Sequence, residues 1–248
     1  MRLEVVTGYW RFNSFSSLGK LSQVVESWRC DGSYPGHLAL RFVFEGPNDR
    51  SILFGLPDDL FANGNRGVCS SILFDITRSR GAKFHTLMQL PWSHASLTNI
   101  ITYTVSAGIA GISGNKVAIC AFDACVKYAS GWTPYRYDDC TYLAAFFPAC
   151  AGSGVRDAGS GHCVQLALQI LSAALYGDKT KLQSHMIYSG RCIFGCIEHP
   201  SYASYSPQLA VVALKRLGVL EGGVTLTDDE CVPFISATLN LVPLRIRR

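Results

Sequence analysis

The chain has 248 residues, of which 48% are apolar and 16% charged, with a formal net charge of +4. A chain of this length can bury a core without covalent staples, and its composition excludes a disordered or linker protein. The weak, scattered positive charge argues against nucleic acid as a partner. The most basic cluster, the terminal LRIRR of residues 244–248, is short enough for an ordinary solvated end or a peripheral contact with an anionic membrane surface.

Glu4 breaks the opening MRLEVVTGYW, so no secretory signal is expected. The uncharged stretch at residues 99–115 carries too much Thr, Ser and Gly for a bilayer span. Residue 2 is arginine rather than the glycine that N-myristoylation requires. The expectation is a soluble, cytoplasmic protein without a transmembrane segment, whose ten cysteines are reduced thiols rather than a disulfide framework.

In chain order, RLEVVTGYW at 2–10 predicts a strand. SFSSLGKLSQVVESWR at 14–29 predicts a helix, with Phe15, Leu18, Leu21, Val24 and Val25 on one face. After the turn DGSYPG, the apolar run from His37 predicts a buried strand that ends at GPNDR. SILFGL at 51–56 looks like its hairpin partner, and SSILFDIT at 70–77 and KFHTLMQL at 83–90 look like two further strands. Four or five strands would therefore fill residues 1–95, with a weak helix over Ser96–Ser113 and a stronger one over 116–129. Near the end, SPQLAVVALKRLGVL predicts a helix with Ser206 as cap and Pro207 at its first position, stopping at EGG.

The passage SGVRDAGSGHCVQLALQILSAALYG at 153–177 runs a Gly-rich loop directly into Cys163 on the first turn of an apolar helix. A buried cysteine there can be a small hydrophobe, or a thiol activated by the positive end of the helix dipole. A nucleophilic thiol needs a histidine as base. Of the six histidines, His162 adjoins Cys163, but neighbours in a helix point to different faces, and His85 and His94 carry no local signature. His37, opening a strand after Tyr-Pro-Gly, stands at a sheet rim where a ligand can reach it. Separately, Cys192, Cys196 and His199 have chelating spacing, but with no fourth ligand nearby no stoichiometric zinc is expected.

The order of these features resembles the circularly permuted NlpC/P60 branch of the papain-like superfamily, closest in layout to viral and phage members. YPGHLALRF corresponds to the histidine strand, KYASGWTPYRYDD to the tyrosine-containing segment, GHCVQLALQIL to the cysteine helix, and YSPQLAVVALKRLG to the closing helix. The resemblance covers residues 1–218 and leaves 219–248 as a C-terminal extension of one domain spanning 1–248. It implies an α+β fold, an antiparallel meander packed on helices. It also implies Cys163 as nucleophile, His37 as base, Tyr135, Tyr137 and His162 at the substrate, and no cofactor.

Peptide, amide or lipid acyl groups would be the substrates, and the protein would work in a host cytoplasm or virion if viral. The family's third polar residue is missing where it is usually found: Ala39 and the apolar SILFGL stand there, with Ser51 and Asp58 the nearest substitutes. Two alternatives follow, an inactive papain-like binding or virion module and a zinc-binding adaptor. The enzyme reading expects strands 37–45 and 51–56 to pair, the 163–176 helix to lie on their sheet, and the Cys163 sulfur to approach a His37 ring nitrogen within about 5 Å.

Overall fold

Short apolar runs, buried on both faces, build the first layer of the fold. Strands β1 (Arg2–Trp10), β2 (His37–Val43), β3 (Ser71–Thr77) and β4 (Gly81–His85) form an antiparallel meander. The computed structural model describes residues 1–10, 36–62, 70–78, 80–85, 97–106, 111–138, 159–186, 189–192, 195–198 and 202–226. On the far side of β1 lie β5 (Leu97–Val105) and the late strand β10 (Leu220–Thr225), giving six antiparallel strands in the order β10-β5-β1-β2-β3-β4. The molecule is thus α+β, with helices packed against this sheet.

Two predicted elements change identity. SILFGL is not the partner of β2. Its first residues, Ser51–Phe54, close helix α1 (Pro47–Phe54), and β2 pairs instead with β1 and β3. Pro47 at the helix start and Asp49 in the first turn favour helix there, a signal that outweighs the short apolar run. Residues 97–105 form β5 rather than a weak helix. Their Thr, Ile and Val side chains are stiff at χ1 and fit a pleated surface better than a helix.

The late helix α5 (Pro207–Arg216) is followed by a turn made by Gly218 at φ 69°. EGG therefore falls inside β10 rather than behind the helix. The predicted strand 83–90 is seen over its first residues as part of β4, and the rest of it, like the predicted helix 14–29, lies outside the described residues.

The main helices are α2 (Gly114–Ala129) and α3 (Cys163–Tyr176), followed by the short α4 (Lys181–His185) and by α5 (Pro207–Arg216). Helix α3 lies against β2 and β3 and is buried on nearly every face, from Cys163 through Ser172 without a break. Gly177 ends it in the left-handed conformation at φ 72°, as helix C-termini prefer. In α5, Ser206 caps the first turn by accepting from the Leu209 N–H, with Pro207 at the first helical position. No helix among the described residues is long and apolar enough to cross a membrane.

Between sheet and helices the core is aromatic. Phe84 packs against Phe74, Phe122 and Phe61 at centroid distances of 5.2, 5.4 and 5.5 Å, and Phe122 meets Phe42 edge-on at 5.1 Å. Phe84 is fully buried and joins β4 to α2. Phe84→Ala should therefore cost about 3–5 kcal/mol of unfolding free energy, measured as a lower midpoint in urea. A change under about 1 kcal/mol would show that this ring cluster does not hold the layers together.

Candidate active site

Residues 159–161 are fixed before the helix begins. Ser160–Gly161 (β7) pairs in parallel with Arg136–Tyr137 (β6), through Arg136 N–H to Gly159 O at 2.8 Å and Asp138 N–H to Gly161 O at 3.1 Å. His162 then takes an extended conformation as N-cap, at φ −100° and ψ 177°, and Cys163 is the first residue of α3. The thiol is 3% exposed and sits over the positive end of the helix.

His37 is the first residue of β2 and is equally buried. Its ring reaches the Cys163 sulfur as a hydrogen-bond partner, while Nε2 lies 2.7 Å from Asp75 Oδ2. The two residues proposed as nucleophile and base, 126 positions apart, thus meet, and a carboxylate from β3 stands behind the imidazole.

The charges explain one another. Burial opposes a charged His37, but the facing Cys163 thiolate and the Asp75 carboxylate outweigh it and raise the imidazolium pKa to about 10. Burial also opposes the Cys163 thiolate, and the His37 charge, with a smaller contribution from His162, brings its pKa down to about 6. For Asp75, burial is outweighed by His85 and His37, which hold the carboxyl well below the usual carboxylate range. Both shifts run toward the thiolate–imidazolium form of the pair.

Asp75 supplies the third polar group that the sequence reading failed to locate. Ser51 is exposed on α1 and donates to the Asn48 carbonyl at 2.7 Å, and the exposed Asp58 opens a 3-10 turn at Asp58–Leu60. The usable signal was an aspartate inside SILFDIT, an otherwise apolar strand buried along almost its whole length, where a lone carboxylate is costly unless paired. His85 on β4 was also passed over; its Nε2 lies 2.8 Å from Asp75 Oδ1.

His162 lies close enough to influence the thiol electrostatically, because the argument from helical neighbours does not apply to an extended N-cap. Its Nε2–H donates to the Ala203 carbonyl at 3.0 Å, and the residue is 1% exposed. Tyr135 is buried beside Cys163, where burial pushes its phenol pKa up, and its ring meets Tyr128 edge-on at 5.7 Å. Tyr137 is half-buried and packs on the core.

Gly161 has φ 158°, and a Cβ added there would fall on Tyr135 Oη and Gln165 Oε1. Gly161 therefore lets the tyrosine close over the helix start. Of the suggested chelating group, Cys192 and Cys196 contribute backbone to the hairpin β8 (Ser189–Cys192) and β9 (Gly195–Glu198); their side chains and His199 lie outside the described residues. Among the described residues no cluster of three or more His, Cys, Asp or Glu is arranged to hold a metal ion.

Two measurements test this geometry. The thiolate is the species that alkylates, so iodoacetamide labelling of Cys163 should rise with pH through about 6, well below an ordinary thiol. Cys125, whose pKa burial raises, should stay unreactive. His37→Ala should move the Cys163 inflection upward; a wild-type inflection at or above about 8.5 would remove the ion pair. Gly161→Ala should destabilise by about 1–3 kcal/mol and alter the labelling rate, and a fully wild-type variant would show that Gly161 is not constrained. No family model matches this chain, and neither a curated protein nor a solved structure shows significant similarity to it.

Proposed function

We propose that this protein is a thiol-dependent acyl-transfer enzyme of the permuted papain-like (NlpC/P60) type. The observation that carries the reading is the hydrogen-bonded line Cys163–His37–Asp75, assembled from a helix start and two neighbouring strands. Nucleophile, base and orienting group stand in the order that nucleophilic catalysis by a thiol requires.

In this reading the Cys163 thiolate attacks the carbonyl carbon of a peptide, amide or lipid acyl substrate, and the C=O electron pair moves onto oxygen. Backbone N–H groups in the first turn of α3 have no intrahelical partner and can receive that oxyanion. When the intermediate collapses, the bond to the leaving amine or alcohol breaks, and the His37 imidazolium gives that group its proton. A thioester on Cys163 and a neutral His37 remain. His37 then takes a proton from water or another acceptor, which attacks the thioester and expels the thiolate. Asp75 holds the ring orientation and stabilises the imidazolium in both half-reactions.

The burial of Cys163 favours one alternative, an inactive papain-like binding module. An activated acyl ester, such as a p-nitrophenyl acyl ester, separates the two. The enzyme reading expects a single acyl adduct mapped by mass spectrometry to Cys163, absent in Cys163→Ala. His37→Ala should slow its formation by roughly 10²–10⁴-fold. Adducts spread over several cysteines, or unchanged in Cys163→Ala, would leave the inactive module as the reading.

A further inference from the structure

His85 has no place in the mechanism above, yet it is the most deeply buried histidine near the site, at 0% exposure. In the β3–β4 pairing Asp75 lies opposite Lys83 and Leu73 opposite His85, so Asp75 and His85 are diagonal neighbours on one face of the sheet. The Asp75 carboxylate is shared: Oδ2 lies 2.7 Å from His37 Nε2, and Oδ1 lies 2.8 Å from His85 Nε2. The second approach is at ion-pair distance but out of hydrogen-bond alignment, and His85 Nδ1 has no hydrogen-bond partner among the described residues. Asp75 is thus the polar contact that the described structure gives this ring. A buried imidazole so poorly satisfied is costly where an apolar side chain could pack, so it calls for a role.

We propose that His85 is a positioning residue: it anchors Oδ1 of Asp75 so that Oδ2 stays directed at His37. A carboxylate held at one oxygen can swing about its χ2 axis, which is broad for aspartate. Held at both oxygens, it presents a fixed acceptor to the imidazole. His85 touches neither the thiol chemistry nor substrate and acts through Asp75. Two histidines, one from each adjoining strand, act on the Asp75 charge. This inference rests on the acyl-transfer reading, whose base it positions.

The test compares His85→Gln, which keeps an N–H donor on a side chain of similar reach, with His85→Leu, which removes it. Both are checked for folding by circular dichroism and urea denaturation. The pH dependence of Cys163 alkylation needs no substrate. In His85→Leu its inflection should rise, and acyl transfer to Cys163 from the p-nitrophenyl ester should fall by roughly 10–100-fold, as when an outer-shell orienting group is lost. His85→Gln should recover most of both. A folded His85→Leu protein with wild-type inflection and acylation rate would overturn the proposal, as would a loss that Gln fails to recover. If His85→Leu does not fold, His85→Gln against His85→Asn decides, since asparagine falls short of Asp75: equal behaviour of the two overturns it. A wild-type inflection near that of an ordinary thiol would count against the acyl-transfer reading itself, which keeps the two failures apart.

Discussion

A carboxylate with no access to water dominates the chemistry of this fold. Asp75 has a side chain at 0% exposure, and moving such a group out of water costs several kcal/mol even after relaxation. It remains ionised because imidazoles from the strands on either side meet its two oxygens. That arrangement fixes the relative position of β2, β3 and β4 at one point, and it holds Nε2 of His37. The sign of every other charge follows: an anionic Asp75 favours a cationic His37, and a cationic His37 favours an anionic Cys163. Each buried charge is tolerated because its neighbour is opposite, so removing any one of them leaves the next uncompensated.

The thiol end of this line depends on backbone rather than on charge. The short β6–β7 pairing holds the chain at Ser160–Gly161, the Ala203 carbonyl holds the His162 ring, and α3 is enclosed by apolar packing from its first residue. Gly161 is the point at which these demands coincide, since backbone conformation and the closeness of Tyr135 and Gln165 both require that no Cβ be present. A thiol carried by a buried helix and an imidazole carried by a central strand can move little relative to one another, and sites built on such elements are more exact than sites built on loops.

This rigidity also accounts for the electrostatics of the site. Burial alone would neutralise Cys163, His37 and Asp75 alike, and it opposes ionisation in each of them. Where geometry is fixed, close opposite charges overcome that penalty. Were the rings free to turn, the same groups would find neutral forms or water instead.

Several elements were legible from the sequence because their signals are local. The short apolar runs in 2–10, 37–43 and 71–77, the long apolar helix from Cys163, and the Ser206-Pro207 start each depend on residues a few positions apart. Cys163 and His37 were legible as candidates for the same reason, one at a helix start and one at a strand start. Residues 51–54 and 97–105 were misjudged because short apolar runs fit helix or strand equally, and pairing partners far along the chain decide between them. The partners of Asp75 and His85 were not legible from sequence. Neither belongs to a motif, and their roles come from strand order and register, which bring side chains from β2, β3 and β4 within 2.8 Å contacts. The sequence by itself determined which segments prefer strand or helix and where a reactive thiol could sit. Only the tertiary structure decided which histidine it meets and which carboxylate charges the pair, because contacts between distant residues follow from sheet topology rather than from local preference.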